Sequence, residues 1–180
     1  RRLLKAEGIP VAKTWVLRKK ETPEIPAEDF PVFVKPANMG SSVGISKIEN
    51  AEDLPHAIEE AFKYDKKVLI EKGIEGREIE FSVLGNEDPI VSVPGEIIPT
   101  DSFYSYEAKY IDENGARLKL PAEDISEESV KEMQGLAVRA FKALELCDMA
   151  RVDFFLTPDG KPILNEVNTI PGFTKISMYP

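Results

Sequence analysis

The sequence predicts an α+β fold in two lobes, each built on a mainly antiparallel sheet. Short apolar strand patterns flank one amphipathic helix before residue 73, and longer strand patterns with hairpin signals follow it. A glycine-containing break at Glu75-Gly76 separates the two regimes. The lobes are accordingly drawn as residues 1–75 and 76–180.

Residues 1–7 read as the end of a helix, with Gly8 suited to a left-handed cap and Pro10 just beyond it. Residues 11–17 then read as a strand. Residues 30–35 (FPVFVK) form a short apolar strand closed by Pro36, and the run from Asn38 to Gly44 (NMGSSVG) is a loop of small, turn-forming residues. The helix that follows carries Leu54, Ala57, Ile58, Ala61 and Phe62 on one face. Pro55 fits its first turn, which favours Asp53 over Asn50 as the cap. Residues 67–72 (KVLIEK) complete this lobe as a buried strand.

In the second lobe, residues 78–84 and 90–93 read as strands separated by Gly85-Asn86-Glu87-Asp88. Residues 102–121 are polar, tyrosine-rich and aperiodic, which marks a functional or mobile loop. Ser126 caps the clearest helix, with Glu127 and Glu128 in its first turn and Val130, Met133, Ala137, Phe141 and Leu144 at helical spacing. A hairpin over 151–167 comes last.

Composition narrows the chemistry. The 180 residues are 42% apolar and 31% charged, which fits a globular chain and excludes low-complexity and collagen-like classes. A formal charge of -9 argues against nucleic acid or an anionic membrane as partner. One cysteine and one histidine exclude an internal disulfide and a Cys/His zinc site. With no apolar run of about 18 residues, no membrane span is expected and a cytoplasmic site is the simplest reading. A start inside a helix and an abrupt end suggest a piece of a longer chain. Cys147, Trp15 and Tyr64 read as packing residues, and His56 as solvent-facing.

The most informative segment is RVDFFLTPDGKPILNEVN. A turn at Pro158-Asp159-Gly160 with a two- or four-residue connection sets Leu156 opposite Lys161, Asp153 opposite Leu164 and Arg151 opposite Glu166. Strand alternation then puts Arg151, Asp153, Glu166 and Asn168 on one face. Val152, Phe154, Leu156, Ile163 and Val167 fall on the other. A lone pair of this kind is usually a solvated salt bridge, but this polar face backs an apolar one and gathers like charges. A hard divalent cation, Mg2+ or Mn2+, gives the carboxylates and the amide a reason to converge, and phosphate is the ligand such an ion carries.

Lys35 stands at the end of an apolar strand, just before Gly40-Ser41-Ser42-Val43-Gly44. Backbone N–H groups and hydroxyls in such a loop can wrap a polyphosphate, with the lysine as a point charge. The loop lacks the spacing of a Walker or a dinucleotide motif, and a plain turn has the same composition. The strand ending in Glu71-Lys72-Gly73-Ile74 reaches the lobe boundary, where backbone groups can pair with an adenine edge and a carboxylate such as Glu78 can accept ribose hydroxyls. An ordinary linker is the alternative there.

VKPANMGSSVGISK, IEKGIEGREIEFSVLG, FYSYEAKY, ARVDFFL and NEVNTIPGFT occur in order, and together the chain resembles the D-alanine–D-alanine ligase family of ATP-grasp enzymes over essentially its whole length. The resemblance implies an ATP-grasp fold enclosing a nucleotide cleft, with ATP and two Mg2+ or Mn2+ ions. It implies Lys35, Ser41 and Ser42 at the phosphates; Glu71, Lys72, Ile74 and Phe155 around adenine; Glu78 at the ribose; and Asn165 among the nucleotide contacts. Asp153, Glu166 and Asn168 match the metal ligands. Arg151 and the backbone N–H of Gly172 match the oxyanion site, and Ser177 and Met178 the pair near the second D-alanine. Lys109 and Tyr110 match the closing loop, a signal that favours an amine as second substrate. Arg1 falls where a lysine is usual.

The implied activity is ATP-dependent joining of two D-alanines through an acyl phosphate, for peptidoglycan precursors. The implied partners are D-alanine, ATP, an N-terminal domain that this chain lacks, and a second copy in a homodimer. Another ATP-grasp carboxylate–amine ligase and a non-catalytic ATP-binding module are the alternatives.

Overall fold

The computed structural model describes residues 1–40, 43–99, 116–174 and 177–180. They form two compact units that divide at Ile74 and Glu75, and Arg1–Val11 belong with the later unit, not with the earlier lobe as expected. The cause is α1 (Arg2–Ala6): its buried Leu4, and Ile9 beyond it, are core residues of that unit. The helix ends as its sequence predicts. Gly8 adopts φ 68°, its N–H donates to the Lys5 carbonyl at 3.1 Å, and the Ile9 N–H donates to the Leu4 carbonyl at 2.9 Å. Val11 makes only an isolated parallel bridge to Leu164, so the strand expected over 11–17 begins later.

Residues 12–74 carry β1 (Thr14–Leu17), β2 (Val32–Pro36), β3 (Ser46–Ile48), α2 (Leu54–Ala61) and β4 (Val68–Lys72). The strands form one antiparallel sheet in the order β1-β4-β2-β3. Alternation along β2 buries Val32 and Val34 with Ile70, Val68 and the α2 residues Leu54, Ala57, Ile58 and Ala61. Trp15 packs against this core as expected. β3 escaped the sequence reading because three residues carry no usable period. Asp53 is the N-cap, but its side chain makes no capping bond. Tyr64 is exposed, not packed inside, although a Cβ on Gly44 (φ 71°) would lie 2.9 Å from its ring.

The other unit holds β5 (Arg77–Leu84), β6 (Ile90–Val91), β7 (Gly95–Pro99), β8 (Ala116–Lys119), α3 (Glu127–Ala143), β9 (Met149–Leu156) and β10 (Pro162–Asn168). The main sheet order is β10-β9-β5-β7-β8, with β6 beside β5. β7 was not anticipated. β8 corrects the aperiodic reading of 102–121 at its far end; residues 100–115 lie outside the described residues. The apolar face of α3, with Met133, Leu136, Ala137, Ala140 and Phe141 buried, packs against Ile79, Phe81, Val83, Val152 and Phe154. Cys147 is exposed, not packed, and follows the helix. His56 is exposed as expected.

The Ser126 Oγ accepts the Ser129 N–H at 3.1 Å and satisfies one of the helix's unpaired donors. Ser126→Ala should therefore lower stability by about 1 kcal/mol and Ser126→Gly by only a few tenths, read from urea midpoints.

Candidate active site

β9 lies between β5 and β10, so alternate residues of three strands share a face. The register sets Glu78, Phe155 and Ile163 in one row, Glu80, Asp153 and Glu166 in the next, and Ser82, Arg151 and Asn168 in a third. The opposite face is the core beneath α3.

Arg151, Asp153, Glu166 and Asn168 thus come together as expected, by a different register. Leu156 pairs with Pro162, not Lys161, because the connection spans 157–161. That loop is closed by the Thr157 N–H on the Lys161 carbonyl at 3.0 Å, with Gly160 at φ 78°. A β-bulge between Leu164 and Glu166, with Asn165 as the extra residue, then shifts the strand once more. Asp153 consequently faces Glu166 instead of Leu164, and Arg151 faces Asn168 instead of Glu166. Leu164 is the core residue, opposite Phe154, while Ile163 sits opposite Phe155 on the polar face.

Arg151 grips Asp153 with two bonds, Nε to Oδ1 at 2.8 Å and Nη2 to Oδ2 at 2.7 Å. Its Nη2 lies 3.9 Å from Glu166 Oε1 and its Nε 3.4 Å from Glu80 Oε2. Asn168 Nδ2 donates to Asp153 Oδ2 at 3.1 Å and to Glu166 Oε1 at 3.2 Å. Burial works against the Arg151 charge, but the Asp153 bond and the charges of Asp153, Glu80 and Glu166 outweigh it and hold the guanidinium above its ordinary range. Burial raises Asp153, opposed by Arg151 and reinforced by Glu166.

The donor set is oxygen only and suits a hard cation. Among the described residues no group of three or more His, Cys, Asp or Glu could hold a metal ion. The residues fit a divalent cation: the Asp153 and Glu166 carboxylates and the Asn168 amide converge within hydrogen-bonding distance.

Glu80 was missed in the sequence, where the signal was a carboxylate two residues after Glu78 in the alternating run REIEF. It is 7% exposed, and burial pushes its carboxyl up to about 7, against the pull of Arg151 and with Asp153 adding to the rise. With the folded value above the ordinary 4.5, its stabilising contribution is full below about 4.5 and is lost as pH rises through about 7. Glu80→Gln, which cannot ionise, should gain about 2–3 kcal/mol over the parent chain between pH 5 and pH 8, measured from urea midpoints at the two values.

The C-terminal residues lie over the same sheet. Ser82 Oγ donates to the Tyr179 carbonyl at 3.2 Å, and the Tyr179 hydroxyl to the Val83 carbonyl at 2.9 Å. A Cβ on Gly95 would fall 2.9 Å from Met178 Sδ and 3.5 Å from Glu80 Cγ, so the bare glycine seats the thioether beside Glu80. Gly172 and Ser177 meet similarly: a Cβ at Gly172 would lie 2.9 Å from Ser177 Oγ. That hydroxyl also accepts the Thr174 N–H at 3.1 Å.

In the unit of residues 12–74, Lys35 Nζ pairs with buried Glu71 Oε2 at 2.6 Å, on the sheet face away from α2. Lys72 Nζ is tied to Asp29 Oδ1 at 2.9 Å and to the Glu28 carbonyl at 3.0 Å. Asp29 was also missed. It is buried at the end of a 3-10 turn and also pairs with Lys13 at 2.5 Å; the Lys13 and Lys72 bonds hold its carboxyl below its usual range. The free backbone edge expected along Glu71 to Ile74 is partly used. β4 is an interior strand, and the Lys72 N–H donates to the Lys13 carbonyl at 2.9 Å and the Gly73 N–H to the Pro31 carbonyl at 2.8 Å. Ser41, Ser42, Lys109 and Tyr110 lie outside the described residues. Arg1 Nη1 donates to the Leu164 carbonyl at 3.3 Å.

Two α+β units, each on an antiparallel sheet, define an ATP-grasp fold. The family described as D-ala D-ala ligase C-terminus matches residues 3–180, and the chain belongs to it. The D-alanine–D-alanine ligase of Oceanobacillus iheyensis is 54% identical over 186 residues, covering 100% of this chain and 50% of that protein. D-alanine–D-alanine ligase A of Chromobacterium violaceum is 58% identical over 151 residues, 84% of this chain and 41% of its own length. Among solved structures, the D-alanine-D-alanine ligase from Coxiella burnetii superposes with a TM-score of 0.81 at 39% identity, over 99% of this chain and 48% of that one. The VanG D-Ala:D-Ser ligase from Enterococcus faecalis gives 0.83 at 37% identity, over 99% and 53%. The chain spans about half the length of the curated relatives it matches.

Proposed function

We propose that this chain is the nucleotide- and metal-binding half of an ATP-dependent D-alanine–D-alanine ligase. The observation that carries the reading is the row of Asp153 and Glu166 with Arg151 and Asn168 at bonding distance on one sheet face, in a chain of the ligase family. The reaction is phosphorylation of one D-alanine carboxylate by ATP, followed by attack of the second D-alanine's amine on the acyl phosphate. Activation is required because a carboxylate at neutral pH is a poor electrophile.

Asp153, Glu166 and Asn168 are the residues to hold two Mg2+ or Mn2+ ions, which when bound supply charge neutralisation at the transferring phosphoryl group. Lys35 adds a fixed positive charge for the phosphates, oriented by Glu71, with Ser41 and Ser42 contributing their hydroxyls. Glu78 accepts from the ribose, Phe155 packs on adenine, and Glu71, Lys72, Ile74 and Asn165 complete the nucleotide contacts. Arg151 and the Gly172 N–H stabilise the oxyanion formed when the amine attacks. Ser177 and Met178 border the second amino acid, and Lys109 and Tyr110 close over it. The product feeds peptidoglycan precursor synthesis in the cytoplasm, and the full-length protein is a homodimer.

The likeness to a D-Ala:D-Ser ligase favours one further possibility, D-serine as the second substrate. Phosphate release by the full-length protein from ATP with D-alanine alone, and with D-alanine plus D-serine, separates the two. Release that needs neither amino acid would overturn the ligase reading.

A further inference from the structure

We infer that Glu80 is the positioning residue that keeps Arg151 at the site when a divalent cation engages Asp153. The inference rests on the metal role proposed for Asp153, Glu166 and Asn168. Arg151 spends two of its donors on the two oxygens of Asp153, and Asn168 takes a third bond to the same carboxylate. A cation and a guanidinium cannot share those oxygens without strong like-charge repulsion, so metal binding drives Arg151 off at least one of them. An arginine released this way needs another fixed partner, or it leaves the site it is meant to serve.

Glu80 is built for that part. It stands opposite Asp153 on the neighbouring strand, with its Oε2 already 3.4 Å from Arg151 Nε, so a small displacement of the guanidinium completes a hydrogen bond. Glu166, the other carboxylate near Arg151, is half exposed and farther away at 3.9 Å. The nearest basic residue along β5, Arg77, is bound to Glu96 by two bonds of 2.7 Å. Glu80 is buried, and a Cβ on Gly95 would meet both it and Met178. A buried carboxylate so enclosed interacts most strongly with the cation it touches, because water does not screen it.

The test is a double-mutant cycle on Mn2+ affinity at pH 8, read by electron paramagnetic resonance of free Mn2+ with the full-length protein. Glu80→Gln should weaken Mn2+ binding about tenfold, because the ion must then break an Arg151–Asp153 pair that has nowhere else to go. In an Arg151→Met background the same change should matter less than about twofold. Glu80→Asp keeps the charge but shortens the reach, and should behave like Glu80→Gln. Equal weakening in both backgrounds would show that Glu80 acts as general negative charge, and no weakening would show that it does not act at all; either result overturns the inference alone. Mn2+ binding indifferent to Asp153→Asn would overturn the metal role and the inference with it.

Discussion

Asp153→Asn in the full-length ligase should lower Mg2+-dependent phosphate release from ATP and D-alanine about a thousandfold, the equivalent of about 4 kcal/mol of transition-state stabilisation. The side chain keeps its shape but loses the charge that both Arg151 and a cation compete for. Two effects add. The amide holds a hard ion poorly, and the two-bond grip on the guanidinium is lost, since an amide NH2 faces one of the Arg151 donors. Glu166→Gln is half exposed and not bidentate with Arg151, so its loss should fall mainly on the metal. The paired change should cost little more than Asp153→Asn alone, because residues acting as a unit are not additive. Steady-state assays at saturating ATP across a Mg2+ series check this. Activity unchanged in both variants would leave only a nucleotide-binding module.

The chemistry of this face was legible because residue type and alternation survive errors of register. The sequence reading paired Leu156 with Lys161, while the structure pairs it with Pro162 and then inserts Asn165. Each departure alone shifts β10 by one residue and would turn Glu166 and Asn168 toward the core. Together they shift by two, so the carboxylate and the amide return to the side of Asp153. Ile163 and Leu164 had no such luck and exchanged faces. A five-residue turn and a bulge are decided by local hydrogen bonds, such as those Thr157 makes with Lys161, which leave no periodic trace.

Glu80 and Asp29 were hidden for a different reason. A lone carboxylate reads as solvent-facing until its partners are known, and these arrive from far along the chain: Arg151 for Glu80, Lys72 for Asp29. The attachment of Arg1–Val11 to the later unit was equally out of reach, since it depends on Leu4 and Ile9 finding a core made of β5, β9, β10 and α3. The capped helices were readable because caps act within a few residues.

Phe81→Ala should destabilise its unit by about 3–5 kcal/mol, the largest stability loss expected from one substitution here. Phe81 is fully buried, and its ring meets Phe154 edge-on at 5.9 Å and 85°. Alanine deletes that contact and leaves a cavity between the sheet and α3 that Met133 and Phe141 cannot fill without leaving their own positions. Such a loss is a large part of the 5–15 kcal/mol or so available to a domain. Because the chain has two compact units, a single transition cannot be assumed. Far-UV circular dichroism in urea follows the sheet and helix signal, while Trp15, the one tryptophan, lies among residues 12–74 and reads that unit separately. The dichroism midpoint should fall, and an unshifted midpoint would mean the ring is not a keystone of the packing. The site should feel the change as well. Phe81 lies between Glu80 and Ser82 on β5, whose partners across the sheet are Asp153 and Arg151. Loosening the apolar face therefore loosens the rows above it, and Mn2+ affinity should drop in Phe81→Ala even where the chain is still folded, whereas Leu84→Ala, at the exposed end of the same strand, should leave it unchanged.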